Sequence, residues 1–183
     1  MMPLHLLLTL ALITQRPASA AQAPAFNPQP PASVAVIDRI MAVIAGQPIT
    51  LSDVNAAIAF GIVPAPPSGE ADPAGYALNR LIERALVLTE VERYQPPEPD
   101  KSEIESRLAG MKERAGASFA QTLKATGVTE DGLRRYIRDD LRIQTYMNQR
   151  FGALDPGTRA QLMADWLTGL RRRSDVMVLY LGK

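Results

Sequence analysis

Asp38-Arg39-Ile40-Met41-Ala42-Val43-Ile44-Ala45-Gly46-Gln47-Pro48-Ile49-Thr50-Leu51-Ser52-Asp53-Val54 is the stretch on which the fold turns. Upstream it joins Val34, Val36 and Ile37, so Val34–Ala45 is dense in β-branched residues and reads as a strand with a break near Asp38-Arg39. Gly46-Gln47-Pro48 reads as a turn, and Ile49-Thr50 resumes extended chain. Thr50 or Ser52 then supplies the N-cap of a helix, with Asp53 in its first turn facing the positive end of the helix dipole. That helix runs from Asp53 to Phe60 and stops at Gly61.

Working outward, almost everything that follows reads as helix. After a loop over Pro64–Pro73 comes a long helix, Ala74–Tyr94, with Leu78, Leu81, Ile82, Ala85 and Leu86 on one stripe. Val87, Leu88 and Val91 widen its apolar face, which suits a helix covered on several sides or one offering a face to a partner. The prolines of Gln95–Pro99 end it. Ser102-x-x-Glu105 and Ser118-x-x-Gln121 read as capping boxes for helices over Glu103–Arg114 and Phe119–Ala125, with Gly116 and Gly127 as their stops. Thr129 caps a helix to about Arg150, supported by the spacings Glu130–Arg134, Asp131–Arg135 and Arg135–Asp139. Its other face carries Leu133, Tyr136, Ile137, Met147 and Phe151. Pro156 opens a last helix bearing Leu162, Met163, Trp166 and Leu170. Val176–Leu181 is too short for a core helix and reads as a strand pairing with the Val34–Ala45 region.

The first residues read differently. The apolar run Leu6–Ile13 followed by Ala18-Ser19-Ala20 has the layout of a secretory signal peptide cleaved after about Ala20, although its n-region holds no Lys or Arg. The run is too short to span a bilayer, so stable membrane insertion is not expected. Residues 21–33, with four prolines, read as a disordered leader to a domain over 34–183. Removal of Arg16 would balance Lys and Arg against Asp and Glu, leaving no net attraction to nucleic acid. The only His lies before the cleavage site and there is no Cys. Such a domain has no imidazole or thiol for catalysis and no ordinary zinc ligands. No catalytic residue, metal or cofactor is therefore expected, and Gly-rich phosphate loops are absent.

Single features yield to structural readings. Asp139-Asp140, beside Arg135, Arg138 and Arg142, reads as a solvated ion network rather than an acid–base pair, because neighbours on a helix point apart. Arg171-Arg172-Arg173 reads as a helix C-terminal cluster complementing the dipole. What stands out is apolar surface. Ile104, Leu108 and Met111 fall at i, i+4 and i+7 on one helix, Phe119 and Leu123 at i and i+4 on the next, and Tyr136 and Met147 on the long one after it. Core packing is the default for each stripe. A protein that holds unfolded chains needs some of this surface open, and these seven are its candidate peptide-binding residues. Met and Leu suit that use because they re-pack around varied partners.

In this order the elements resemble the SurA-type periplasmic chaperones. Asp38–Val54 is similar to the opening of that family's N-terminal domain, where a strand runs into a Gly-x-x-Ile-Thr-x-Ser-Asp turn and helix start. Leu78-x-x-Leu81-Ile82-x-x-x-Leu86, the Ser102-x-x-Glu105 helix, the Phe119 segment, Gly127-Val128-Thr129 and Tyr136–Leu141 follow in the family's order, so the resemblance covers roughly Val34 to Arg150. More loosely, Asp165–Leu181 resembles the family's closing helix and strand. Where relatives insert parvulin isomerase domains, this chain has only a few residues between Arg150 and Pro156. The resemblance implies a mainly α fold, a helical core with a small sheet joining N- and C-terminal strands: core 34–151, closing helix and strand 156–181. It implies a periplasmic, ATP-independent holdase for extended apolar segments of unfolded envelope or outer-membrane proteins. The rival expectations are an assembly or dimerisation module, including a homodimer, and a reduced prolyl isomerase.

Overall fold

The computed structural model describes residues 38–182. The expected signal peptide, the Pro-rich leader and the Val34–Ile37 part of the first strand lie outside the described residues. Strand β1 (Ile40–Ile44) turns through Ala45 and Gly46 into β2 (Gln47–Thr50). Both turn residues have positive φ, 48° and 81°. This is the geometry of a two-residue hairpin whose twist matches that of its strands. The turn is thus one position earlier and tighter than the Gly46-Gln47-Pro48 reading, and Gln47 and Pro48 belong to β2, opposite Ile44 and Val43. Proline is tolerated there because β2 is an edge strand.

Helix α1 (Leu51–Ala59) follows at once. Its cap is Thr50, not Ser52: the Thr50 hydroxyl accepts from the Asp53 N–H, and the Asp53 carboxylate accepts from the Thr50 N–H at 2.8 Å. Helix α2 (Pro73–Tyr94) is capped by Asp72, which accepts from the Gly75 N–H. It runs through the centre of the molecule, packed against α1, β1, α5 (Glu130–Phe151) and α6 (Pro156–Arg173). Of the two readings of its wide apolar face, cover on several sides therefore accounts for most of it. Val54, Ile82 and Ala42 have no exposed surface and Met41 only 1%, in a cluster that also takes Leu78, Leu81, Leu86 and Leu170. Each fully buried aliphatic side chain of this kind stabilises by about 1.5–3 kcal/mol.

Helix α3 (Lys101–Ala115), a 3-10 turn over Gly116–Ser118 and α4 (Phe119–Thr126) form a second layer against α5. Neither expected capping box exists. Asp100 takes the N-cap position of α3, so Ser102 lies inside the helix, and Ser118 belongs to the 3-10 turn, where its hydroxyl donates to the Ala115 carbonyl. Gly127 does end α4 in the left-handed conformation, φ 71°, and Thr129 caps α5 by accepting from the Gly132 N–H. Along α5 only one expected ion pair forms. Arg134 meets Glu130 at 3.5 Å but also takes Asp131 and Glu105, while Asp139 goes to Arg138 rather than Arg135. These exposed contacts contribute little each.

The chain then returns. α6 is capped by Asp155, and β3 (Val176–Val178) pairs antiparallel with β1, giving the sheet order β2-β1-β3. The expected pairing of the terminal strand with the first one is therefore present, in a strand shorter than Val176–Leu181. Beyond β3 the backbone still clings to β1, with the Leu179 and Tyr180 N–H groups both donating to the Met41 carbonyl. The Tyr180 hydroxyl donates to Asp72 at 2.9 Å, so the tail fastens onto the cap of α2. The fold is mainly helical with one small antiparallel sheet.

Candidate functional site

Three side chains organise a group of adjoining hollows. Ile62 follows the end of α1, its N–H donating to the Ala57 carbonyl at 2.8 Å. Tyr136 sits on α5. Arg84, on α2, lays its guanidinium 3.7 Å over the Tyr136 ring and donates from Nη2 to the Tyr136 carbonyl at 2.9 Å. Ile62 and Tyr136 line three adjoining openings. The first, about 520 Å³, lies between α2 and the start of α5, with Ile49, Leu81, Leu88 and Leu133 as its apolar walls. The second, about 420 Å³, lies between the end of α1 and α3, and holds Phe60, Met111, Arg107 and Arg114. The third, about 270 Å³, lies towards α6 and is lined by Val87, Ile143, Met147, Met163 and Leu167. Two of the three exceed the lower size of ordinary ligand pockets, and all are open rather than sealed.

Burial pushes the Tyr136 phenol up to about 12, with the Arg84 guanidinium opposing the shift. A phenol whose pKa is higher in the fold than in the open chain adds stability at every pH below about 10. That contribution is lost as the pH rises through about 12. Tyr136→Phe is expected to flatten the alkaline loss of stability across this window, read from urea midpoints. An identical alkaline slope in the variant would count against the burial argument. At neutral pH Tyr136 is an uncharged, largely apolar wall.

The structure divides the seven candidate residues. Met111, Tyr136 and Met147 line the hollows, in the second, all three and the third respectively. Leu108 (1% exposed) and Phe119 (9%) are instead the core of the second layer, and Ile104 and Leu123 pack against it. None of these four lines the three hollows: Leu108 and Phe119 are buried with Leu133, Ile137 and Leu141 of α5, and Ile104 and Leu123 are partly buried beside them. Ile62, Arg84, Leu88, Met163 and Leu167 line the hollows although they were not candidates. Leu88 left a trace in sequence, as an apolar residue off the main stripe of α2. Ile62 left none, because it follows Gly61 outside any periodic run.

A scan against protein-family models gives no match, and a search of curated proteins gives none either.

The charged features behave as structural groups. Asp139 is bound to Arg138 at 2.7 Å, and Asp140 accepts from Gln144 at 2.9 Å with Arg107 at 3.7 Å. Arg142 turns away to Glu98, so of the three expected arginines only Arg138 pairs with either acid, and with Asp139 alone. Among the described residues no group of three or more His, Cys, Asp or Glu side chains is placed to hold a metal. Arg171, Arg172 and Arg173 are exposed in the last turn of α6, as expected, with Arg171 reaching Asn79 and Arg173 reaching Glu90. No helix among the described residues is long and apolar enough to cross a membrane.

Proposed function

We propose that this chain is an ATP-independent holdase of the SurA N-terminal type, acting in the periplasm on extended apolar segments of unfolded envelope proteins. One observation carries the reading: two open, mainly apolar hollows and a third of mixed lining meet around Ile62 and Tyr136, and three methionines, Met111, Met147 and Met163, line them. Flexible thioether side chains adapt to different partners, which suits a surface that must accept many sequences. Covering about 300 Å² of apolar client surface yields about 7 kcal/mol before ordering costs. The remainder corresponds to weak, reversible binding, so clients leave by folding and no nucleotide is needed. The strand–turn–helix opening, the helix order and the returning terminal strand are the features behind the resemblance.

Light scattering of a urea-diluted outer-membrane barrel protein, with and without the purified chain, tests the proposal. Suppression at near-stoichiometric ratio is the expected result. A folded chain that leaves aggregation unchanged at several-fold excess would remove it.

A second reading, an assembly or dimerisation module, is favoured by a different surface. Among the described residues the outer edge of β3 is unpaired in the sheet, and Met177, Val178, Leu179 and Leu181 around it are exposed. Sedimentation distinguishes the two: a tight dimer across all accessible concentrations supports the module, a monomer that binds peptides supports the holdase.

A further inference from the structure

We propose that the hollow between α2 and the start of α5 selects client segments that carry a carboxylate among their apolar side chains. The proposal rests on the holdase reading and names the clients it favours.

Ile49, Leu81, Leu88 and Leu133 provide apolar walls, but the hollow also has three charged residues on its lining: Asp53 from α1, Arg84 from α2 and Arg135 from α5. Asp53 is already committed, accepting from both the N–H and the hydroxyl of Thr50. The two arginines are not. Among the described residues, neither Arg84 nor Arg135 has a carboxylate within 4.0 Å, whereas the adjacent Arg134 holds Glu105, Glu130 and Asp131. Arg84 is the more telling of the two. It is partly buried between α2 and the Tyr136 ring, uses one N–H on the Tyr136 carbonyl, and keeps its Nε shielded from solvent with no acceptor.

A partly desolvated guanidinium without a counter-ion is an uncompensated charge, and an incoming carboxylate relieves it. Guanidinium and carboxylate also match as planar, two-pronged partners. A lysine in the same place would meet two guanidinium groups against the single carboxylate of Asp53, so the balance of charge in the hollow favours an acid over a base.

Three fluorescent peptides with one apolar sequence, and Glu, Gln or Lys at a single central position, test this by anisotropy with the purified full chain. The Glu peptide is expected to bind about tenfold more tightly than the Gln peptide, and the Lys peptide more weakly than both. Salt of about 1 M, which shortens the screening length to about 3 Å, should shrink the difference. In Arg135→Glu, an exposed position at which circular dichroism should report an unchanged fold, the order of the Glu and Lys peptides should reverse. Equal binding of all three peptides by the folded wild type overturns the carboxylate preference and leaves the holdase reading in place. An order unchanged in Arg135→Glu overturns the assignment to this hollow. Binding of none of the three overturns both this proposal and the reading beneath it.

Discussion

Deleting residues 152–183 is expected to abolish cooperative unfolding. α6 and β3 are not an appendage. Leu170 is 2% exposed inside the first core cluster, and Trp166, Leu167, Val176 and Tyr180 pack against it. Trp166 also closes a run of aromatic contacts, 5.6 Å from Phe151 and 6.0 Å from Tyr146 between ring centroids. Removing them opens Met41, Ala42 and Leu78 to water and strips β1 of one of its two partners. At about 1.5–3 kcal/mol for each large apolar side chain, the loss matches or exceeds the about 5–15 kcal/mol that holds an ordinary domain together. Urea titration followed by circular dichroism should show a broad, sloping change in the truncated protein. A sigmoidal transition with the slope of the full chain would show that the core stands without its closing elements.

The second large effect separates core from groove on a single helix. Leu108→Ala is expected to cost about 2–5 kcal/mol, because the side chain is 1% exposed between α3, α4 and α5 and leaves a cavity its neighbours fill only in part. Met111→Lys, less than one turn further along, is expected to cost under about 1 kcal/mol, since that side chain is only partly buried and borders the open hollow beside Phe60. Under the proposed holdase function its effect should fall on client binding, with clearly weaker suppression of aggregation at equal concentration. Equilibrium unfolding and light scattering on the same two variants check the pair. A Leu108→Ala protein within about 0.5 kcal/mol of wild type would contradict the placement of α3.

That contrast explains how far sequence reading reaches. Ile104, Leu108 and Met111 share one stripe, and periodicity treats them alike. What separates them is where α5 crosses α3, which places Leu133, Ile137 and Leu141 over Leu108, with Met111 bordering both that core and the hollow. A stripe reports that a face is apolar, not where its cover ends. Local signals fared better. The Thr50–Asp53 cap, the αL stop at Gly127, the start of α6 at Pro156 and the extended character of Val176–Val178 all depend on a few adjacent residues or on a short apolar run. Where two local signals compete, the pattern misled. α3 begins at Lys101, with Asp100 at the N-cap position and no side-chain cap hydrogen bond, and Arg134, with three carboxylates in reach, meets Asp131 in place of Arg135. Ile62 and Arg84 were out of reach for another reason: their role comes from a stacking contact and a shared hollow joining residues far apart in the chain.

The place of β1 in the sheet also sets a timetable for folding. β2 is a two-residue turn away and can pair with β1 within microseconds, but Val43 meets Met177 only across nearly the whole domain. A contact of such long sequence separation is costly to close and forms late. During synthesis β1 therefore waits with one row of backbone N–H and C=O groups unpaired until Val176–Val178 arrives. For that interval the protein presents the same kind of extended, unpaired apolar strand that its own hollows are proposed to shelter in others.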